Sequence, residues 1–371
     1  MRSGRLAGRQ GGGRACRNDA RHPPAFLFPT KMPRAVVVHA EGPYQNCKIE
    51  QVAPLEARPG CAIVKVLSCG LAFPDVLTIL GKHIGRRQPP FVPGSEVCGE
   101  VTSVGEGVTD LVIGDRVFGS APSGALGEEA EVVASGVYKM PAGVDPNVAA
   151  GFELNYGTTY HGLVDIAKLQ KGETLLVLGA SGGVGAAAID IGKAVGATVI
   201  ACASSTAKLQ FCKEAGADVL INYETASLRD ELKRLKLDGK VDVVYDPVGG
   251  KWSEPAIRSL AWGGRFLVVG FASGGEVPKD AIPKVPLNLA LLGERQIQGV
   301  FWGAWKARDG NEANSKNINQ MMSWILEGRL NPVISKVYPL DDTFQNAFDD
   351  MMSRRVMGKI CIQPGLATAK L

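Results

Sequence analysis

Short apolar runs broken by glycine and proline fill the chain between residues 34 and 155. Loops such as residues 89–90 and 105–107, rich in proline or glycine, separate these runs. The runs predict strands at residues 34–39, 61–68, 100–104, 116–119 and 130–133. Short strands with frequent turn residues indicate a compact β-rich domain over residues 34–155.

The pattern changes after Tyr156, where near-continuous apolar runs alternate with helical segments. Such runs are typical of a parallel sheet that is covered by helices on both faces. Strands are predicted at residues 175–179, 198–203, 219–222, 241–246, 265–270 and 296–302. Helices are predicted at residues 185–195, 208–215, 227–235, 254–260 and 287–292. Together these elements predict a complete doubly wound nucleotide-binding domain over residues 156–303.

Residues 304–371 are too few for a third domain. They carry a predicted helix at residues 318–327 and a predicted last strand at residues 359–363. We expect this tail to return to the first domain. The fold class is therefore α/β, with a β-rich domain and a doubly wound nucleotide-binding domain.

A glycine-rich turn joins the first strand of the second domain to its first helix. After Gly179 the turn consists of Ala180, Ser181, Gly182, Gly183, Val184 and Gly185. Small residues let the chain turn sharply and let backbone N–H groups reach a pyrophosphate at the helix N-terminus. The position of the turn between a predicted strand and a predicted helix favours a dinucleotide site over an ordinary strand-to-helix turn.

The end of the second strand of this domain indicates which dinucleotide binds. An NAD site places Asp or Glu about 20 residues beyond the glycines, to hold the ribose hydroxyls. Residues 201–208 contain no acid and instead carry Ser204, Ser205 and Lys208, which can donate to a 2′-phosphate. Tyr223, at the end of the third strand, is a further donor. NADPH is favoured, and the alternative for Lys208 is a solvated residue on the first turn of a helix.

Composition and charge narrow the class of protein. The 371 residues are 45% hydrophobic, no apolar stretch approaches a membrane span, and the eight cysteines are scattered without a Cys-x-x-Cys pair. The net charge is +4, but residues 1–33 hold seven basic groups and one acid, so the remainder carries about −2. A nearly neutral chain beyond residue 33 lacks the excess of basic charge that is typical of proteins that bind nucleic acid or an anionic membrane.

The arginine-rich residues 1–33 form an N-terminal extension with two interpretations. Their low acid content fits a mitochondrial transit peptide. Their glycines and single serine fit less well, and Met32 begins a natural start, so a disordered or even untranslated extension is the alternative. The expected compartment is the mitochondrion, or else the cytoplasm.

Several stretches of the chain, together with the glycine-rich turn, resemble the quinone oxidoreductase branch of the medium-chain dehydrogenase/reductase superfamily. The resemblance covers residues 34–364, and its diagnostic stretches are FVPGSEV at 91–97, GDRV at 114–117, YGTTYHGL at 156–163, DVVYDPVGG at 242–250, LAWGGR at 260–265, GFASG at 270–274 and GVFWGAW at 299–305. The resemblance implies a GroES-like catalytic domain, a Rossmann domain, a cleft between them and a homodimer joined through residues 296–302.

The resemblance also assigns cofactor contacts by position. It implies that Thr158 faces the nicotinamide and that Lys208 and Tyr223 line the 2′-phosphate pocket. Backbone around Val248, Gly270 and Phe271 is expected to touch the cofactor.

The pattern of zinc ligands in this superfamily is incomplete here. Zinc alcohol dehydrogenases use a cysteine, the histidine of a Gly-His-Glu sequence and a later cysteine. This chain keeps Cys69, but the second site reads Gly94-Ser95-Glu96, and no cysteine lies near Asn155. A serine hydroxyl is a poor zinc ligand, so we expect no metal and interpret Cys69 as a core residue.

Candidate catalytic groups lie near a departure from the family pattern. Where the family reads Cys-Gly-Val-Asn-Phe-x-Asp, this chain has Ala72 in place of asparagine, followed by Asp75. His83 stands where relatives carry tyrosine and is a candidate proton donor or orienting group. The alternatives are an exposed loop histidine and, for Asp75 and Glu96, structural hydrogen-bonding acids.

Three further side chains have open interpretations. Trp302 and Trp305 offer aromatic surface for a flat acceptor, or else pack at the last strand. For His161, core placement is favoured over catalysis.

These observations predict an NADPH-dependent, zinc-independent oxidoreductase that transfers hydride to a small quinone or similar conjugated carbonyl. One alternative is an enoyl or 2-alkenal double-bond reductase, which requires a well-placed proton donor. An alternative of another class is a non-catalytic, crystallin-like NADPH-binding protein.

Overall fold

The computed structural model describes residues 32–122, 124–274 and 282–366. Except for Met32 and Pro33, the predicted N-terminal extension lies outside the described residues. Within the described chain, none of the helices combines the length and the apolar character that crossing a bilayer requires.

The first domain is built from short strands around a long central one. Its elements are β1 (Arg34–Val37), β2 (Lys48–Gln51), β3 (Cys61–Leu71), α1 (Phe73–Ile79), β4 (Glu96–Val104), β5 (Arg116–Ser120), β6 (Glu129–Val133), β7 (Val137–Lys139), α2 (Pro146–Ala150) and α3 (Glu153–Tyr160). Strand β3 is buried along most of its length because it pairs with β4 on one side and, in two separate stretches, with β6 and the last strand of the chain on the other.

Helix α1 begins where β3 ends, and two side chains explain why. Pro74 occupies the first turn, where a missing N–H costs no hydrogen bond. The Asp75 carboxylate turns back and accepts from the Ala72 backbone N–H at 2.8 Å. A carboxylate at this position satisfies a donor that the helix leaves free, so Asp75 is fixed by the local chain.

The second domain alternates strands and helices. Its elements are β8 (Thr174–Leu178), α4 (Gly183–Val195), β9 (Thr198–Ala203), α5 (Thr206–Glu214), β10 (Val219–Asn222), α6 (Leu228–Arg234), β11 (Val241–Asp246), α7 (Ser253–Arg258), β12 (Leu260–Val268), α8 (Asn288–Leu291), β13 (Gln296–Gly299) and α9 (Trp302–Trp305). The six strands are parallel in the order β10-β9-β8-β11-β12-β13. The order reverses between β8 and β11, and such a reversal opens a ligand crevice at the carboxyl ends of the strands.

The last strand of this sheet is shorter than predicted. It ends at Gly299 rather than at Trp302. The Trp302 indole N–H donates to the Asn314 side chain at 2.8 Å, and its ring packs against Gly157. Burial of this side chain against α3 turns the chain into α9 and ends the strand.

The remaining elements divide between the two domains. They are α10 (Asn311–Leu326), β14 (Ile334–Pro339), α11 (Gln345–Met352) and β15 (Lys359–Gln363). Strand β15 pairs antiparallel with β3, which places the end of the chain in the first sheet. In contrast, Ile318 and Met321 of α10 pack in the cluster that contains Ile189 and Val177 of the second domain. The tail therefore returns to the first domain only after α10 has packed against the second.

A buried polar network joins the two domains. Glu153 on α3 accepts hydrogen bonds from Ser120 at 2.7 Å and from the Lys306 ammonium. Asn314 on α10 donates to the Tyr138 hydroxyl at 2.8 Å. Because buried charges must be paired and hydrogen-bonded, this network holds α3 and α10 in one relative position.

Candidate cofactor and active site

The turn after β8 has the geometry of a phosphate cradle. Gly179 adopts a left-handed backbone with φ of +60°, which a glycine tolerates without strain. A Cβ on Gly185 would lie 2.3 Å from the Gly179 carbonyl oxygen, so only glycine permits this close approach of helix and strand. Helix α4 begins at Gly183, and its first N–H groups have no acceptor within the helix. A pyrophosphate fits this helix end.

Helix α3 lies against this cradle. The Asn155 side chain fills the place that a Cβ on Gly183 would occupy, at 2.6 Å. The Thr159 hydroxyl lies 3.2 Å from the Val184 carbonyl oxygen and 2.9 Å from the Tyr245 hydroxyl. Thr158, the next residue on α3, is half-buried. The proposed nicotinamide contact therefore stands on a helix that is locked to the glycine turn.

The chain after β9 presents donors and no acid. Ser205 caps α5, and its hydroxyl accepts from the Lys208 N–H at 3.4 Å. The Lys208 ammonium reaches the Ser204 hydroxyl at 3.4 Å. Burial, followed by the charge of Arg354, lowers the pKa of Lys208. The lysine thus stands beside a second cation rather than a carboxylate.

Arg354 is a member of this site that the sequence did not reveal. It follows α11 in a left-handed conformation with φ of +58°, which is uncommon for a residue with a side chain. Its guanidinium donates to the carbonyl oxygens of Ala272 and Ser273 at 3.4 and 3.3 Å. Arg354 is distant from Lys208 in the chain and belongs to no local motif, so only the tertiary structure brings the two together.

Tyr223 completes the polar wall at the end of β10. Its ring lies 4.8 Å from that of Trp252, centroid to centroid, at an angle of 46°. Burial raises the pKa of Tyr223 to about 12, and Arg354 acts in the opposite direction. The hydroxyl is therefore a hydrogen-bond donor at neutral pH. Lys208, Arg354 and Tyr223 together form a site suited to a phosphate.

The loops after β11 and β12 meet across the same edge of the sheet. Asp246 holds the first loop, because its carboxylate accepts from the N–H groups of Val248 and Gly249 at 2.8 Å each. Gly270 donates its N–H to the Asp246 carbonyl oxygen at 3.3 Å, which places Phe271 beside that loop. The structure thus brings together the three residues predicted to touch the cofactor through their backbone.

Asp75 and His83 line one small cavity in the first domain, together with Ser95. Asp75 is 4% exposed, and burial raises its pKa, while the Ala72 N–H, Lys359, Ser95 and His83 act in the opposite direction. His83 is half-buried, and its Nδ1 lies 3.2 Å from the Gly85 nitrogen. Within the described residues, no hydrogen bond or ion pair joins Thr158 to either side chain.

The segment at residues 358–359 connects this cavity with the glycine turn. Gly358 donates its N–H to the Ser181 carbonyl oxygen at 2.8 Å. Lys359 donates to the buried Glu96 carboxylate and contributes to the electrostatics of Asp75. This segment therefore contacts the glycine turn directly and acts on Asp75 through the charge of Lys359. Glu96 is a structural partner of Lys359, in agreement with the structural alternative in the sequence interpretation.

The tryptophans and His161 have packing roles. His161 is buried and stacks on Trp305 at 3.9 Å between ring centroids, with an interplanar angle of 15°. Its Nδ1 lies 3.0 Å from Asp165. Trp302 is buried against Gly157 and bonded to Asn314. Of the two interpretations of the tryptophans, the structure favours packing over an open acceptor platform.

The thiol of Cys69 lies in the core of the first domain. It is fully buried, and burial raises its pKa well above the ordinary value, which disfavours the thiolate that binds metals. Its sulfur lies 2.9 Å from the position of a Cβ on Gly94. Among the described residues, no three histidine, cysteine or carboxylate side chains form a group that could hold a metal ion.

Known families and structures are similar to this chain over most of its length. The family described as alcohol dehydrogenase GroES-like domain matches residues 58–159, and the family described as zinc-binding dehydrogenase matches residues 183–326. Quinone oxidoreductase-like protein 2 of Bos taurus is 35% identical over 315 residues, which are 85% of this chain and 88% of that protein.

Two solved structures share the fold and contain NADPH. Mycobacterial Rv1454c complexed with NADPH superposes with a TM-score of 0.81 and 28% identity, over 90% of this chain and 100% of that one. Escherichia coli quinone oxidoreductase complexed with NADPH superposes with a TM-score of 0.78 and 26% identity, over 89% and 100%. With a GroES-like domain, a Rossmann domain and these relatives, the chain belongs to the quinone oxidoreductase branch of the medium-chain dehydrogenase/reductase superfamily.

Proposed function

We propose that this protein is an NADPH-dependent reductase that delivers hydride to a quinone or a similar conjugated carbonyl without the help of a metal. The observation that carries the proposal is the convergence of Lys208, Arg354 and Tyr223 beside a glycine-rich helix start, with no acid in residues 201–208. This arrangement suits a dinucleotide that carries a 2′-phosphate. It also agrees with the NADPH named in the two similar structures.

The residues present fit the cofactor. The first N–H groups of α4 bind the pyrophosphate, and Lys208 and Arg354 bind the 2′-phosphate. Val248, Gly270 and Phe271 border the crevice where the sheet order reverses, which is where a dinucleotide lies in this class of fold. Thr158 faces the nicotinamide. When bound, NADPH supplies the hydride, and the protein supplies orientation and a proton.

His83 is the proposed proton source. Its Nδ1 lies 3.2 Å from the Gly85 nitrogen and 3.4 Å from the Gly85 carbonyl oxygen, so Gly85 orients the ring whether Nδ1 accepts or donates. A quinone that has received a hydride needs one proton to become the hydroquinone. The imidazolium form of His83 donates its Nε2 proton and is left as a neutral ring with Nδ1–H, which can donate to the Gly85 carbonyl oxygen. Asp75 lines the same cavity and orients the protonated ring through its charge. Ala72 offers only a methyl group, so the acceptor receives no amide from that position.

Zinc independence is part of the same proposal. A catalytic zinc needs three protein ligands from histidine, cysteine or carboxylate. Ser95 stands where zinc enzymes of the superfamily carry histidine, and the Cys69 thiol is buried in the core. Activity that persists unchanged after extensive dialysis against a chelator supports this part, and loss of activity that zinc restores overturns it.

The test is NADPH consumption by the full chain with matched quinones, 2-alkenals and enoyl-CoA thioesters, with NADH as the control cofactor. Quinone turnover with NADPH alone supports the proposal. Turnover of alkenals or enoyl thioesters in place of quinones assigns the double-bond reductase instead, a reaction for which His83 is also a suitable donor. NADPH binding without any turnover assigns the non-catalytic alternative.

The same proposal includes a homodimer through the edge strand β13. Exposed apolar side chains surround this edge: Trp262 at 72%, Leu287 at 81%, Leu291 at 77%, Leu292 at 69%, Ile297 at 44% and Phe301 at 61%. Several exposed apolar side chains on and next to an edge strand are typical of a contact site. A mitochondrial location remains part of the proposal, and attachment of residues 1–33 to a fluorescent reporter tests it.

A further inference from the structure

The cavity that contains Asp75 and His83 has polar groups that the proposed reaction does not use. Its volume is about 160 Å³, and its wall also includes Thr78, Arg87 and Ser95. Pockets that enclose a whole small ligand measure about 300–1,000 Å³. This cavity therefore accommodates one end of an acceptor rather than all of it.

Arg87 differs from most structured arginines of the chain in having no carboxylate partner. Eight other described arginines pair with a carboxylate: Arg34, Arg58, Arg234, Arg258, Arg265, Arg308, Arg329 and Arg355. The Arg87 guanidinium donates one bond, at 2.9 Å, to the Val92 carbonyl oxygen and lies 5.0 Å from the centroid of the Phe91 ring. Within the described chain no carboxylate lies at ion-pair distance from it; burial lowers the pKa of Arg87, and the charge of the more distant Asp75 acts in the opposite direction.

These contacts hold the Arg87 guanidinium in place but leave most of its N–H donors unused. An arginine has five N–H donors, and the Val92 carbonyl takes one bond. The stacking on Phe91 restricts rotation of the group, so the remaining donors have a defined orientation. A half-buried cation with free donors on a cavity wall is suited to an anion.

Ser95 supplies a second unused polar group on the same wall. Its hydroxyl oxygen is buried and has no hydrogen-bond partner of good geometry in the described chain, although it is close enough to Asp75 to affect that carboxyl. The Thr78 hydroxyl, in contrast, already donates to the Pro74 carbonyl oxygen at 2.8 Å. A buried hydroxyl without a partner carries a desolvation cost that a ligand oxygen can remove.

The other charges around the cavity leave room for an anion. Lys359 and Glu96 neutralise each other behind the wall, and the Cys69 thiol is protonated. Asp75 is the one carboxyl that faces the cavity from the described residues; burial raises its pKa, and its Oδ2 already accepts from the Ala72 N–H at 2.8 Å. Arg87 is the cation that faces the cavity, and the His83 ring lines the same wall.

We propose that Arg87 and Ser95 bind a carboxylate carried by the acceptor, so that the enzyme prefers quinones or enones with an acidic substituent to neutral ones. This specificity rests on the proposed reductase function. Arginine and carboxylate form paired, charge-assisted hydrogen bonds, and the serine hydroxyl donates to the same group. The reducible ring or double bond then lies outside the small cavity, toward the cofactor.

The test compares a naphthoquinone that carries a carboxylate side chain with its methyl ester. We expect the wild-type protein to favour the acid by roughly tenfold or more in kcat/KM, the size of a charge-assisted contact. Arg87→Gln is expected to abolish this preference through a higher KM for the acid, with ester turnover little changed. Arg86→Gln, which removes the same charge from an exposed neighbour, is the matched control and should keep the preference.

Two results overturn the inference: equal use of acid and ester by the wild-type protein, or equal loss in Arg86→Gln and Arg87→Gln. Arg87→Lys guards against misfolding, because it keeps the charge and should retain part of the preference.

A measurement without turnover separates this inference from the reductase proposal. Calorimetry with 2-naphthoate and the NADPH-loaded protein should show binding that Arg87→Gln removes, even if no acceptor is reduced. Absent naphthoate binding, together with ester turnover, rejects the inference and leaves the reductase intact.

Discussion

Lys359 on the last strand donates to Glu96 on β4, and the two side chains are 6% and 3% exposed. Glu96 also accepts from the Leu154 N–H at 2.7 Å, at the start of α3. One buried ion pair thus joins the end of the chain to the first sheet and to the helix that carries Thr158. Gly358, the residue before Lys359, contacts the glycine turn through Ser181.

Removal of the Lys359 side-chain charge alone should therefore lower the free energy of unfolding. In Lys359→Met the Glu96 carboxylate loses its counter-charge, and breaking a buried pair costs about 3–5 kcal/mol. We expect the free energy of unfolding, measured with urea, to fall by about that amount. The double variant Glu96→Gln/Lys359→Met should recover much of the loss, since no unpaired charge remains. A single variant that is as stable as the wild-type protein would show that the pair is solvated.

The proposed 2′-phosphate site makes a prediction about cofactor choice. Lys208→Ala and Arg354→Ala each remove a cation, and a charged hydrogen bond contributes about 1.5–3 kcal/mol. The Kd for NADPH should rise roughly 10- to 100-fold, while the Kd for NADH stays nearly constant. Arg355→Ala is the control, because Arg355 pairs with Asp350 at 2.6 Å. Equal losses for both cofactors would place the two cations elsewhere than at the 2′-phosphate.

Two glycines of the turn differ in the space that an added side chain would have. Gly185→Ala adds a Cβ that would lie 2.3 Å from a backbone oxygen, whereas the Cβ in Gly182→Ala meets its nearest atom at 3.5 Å. We expect Gly185→Ala to lose about 1–3 kcal/mol of stability without cofactor, as in other overpacked sites. Gly182→Ala should unfold at the wild-type urea concentration. Similar midpoints for both variants contradict the close packing.

The buried carboxyl of Asp75 makes stability depend on pH. Burial raises its pKa, so the folded protein holds this proton more tightly than the unfolded chain. The associated stability is present below the unfolded pKa and is lost as pH rises through the folded value. Asp75→Asn does not titrate and keeps an oxygen for the Ala72 N–H. The stability of this variant relative to wild type should therefore increase as pH rises above about 4, the ordinary pKa of an aspartate, in urea unfolding at each pH. A constant difference would argue against the shift.

The proposed dimer can be tested at β13. Ile297→Lys places a charge on the exposed edge, and we expect it to shift the protein from dimer to monomer in sedimentation equilibrium. Val112→Lys changes an exposed apolar residue of the first domain and is the control. A wild-type protein that sediments as a monomer at every concentration rejects the dimer.

Several residues of the site were accessible from the sequence because local chemistry identifies them. The glycine turn, Ser204, Ser205 and Lys208 follow strands whose apolar runs are unmistakable, and carboxyl ends of parallel strands share one edge. Arg354 escaped prediction because nothing in its local pattern relates it to β9. The strand predicted to reach Trp302 was wrong at its end, because the pattern of apolar residues does not distinguish a strand from a buried helix start.

The sequence by itself determined the two-domain architecture, the order of strands and helices in the second domain and the dinucleotide turn. These follow from periodicity and from backbone conformations that few residues allow, and both are properties of short stretches. Only the tertiary structure decided that α10 packs with the second domain, that Arg354 joins Lys208, and that Arg87 shares a cavity with Asp75, His83 and Ser95. Contacts of this kind join residues distant in the chain, and their energy depends on packing and burial that no local pattern encodes.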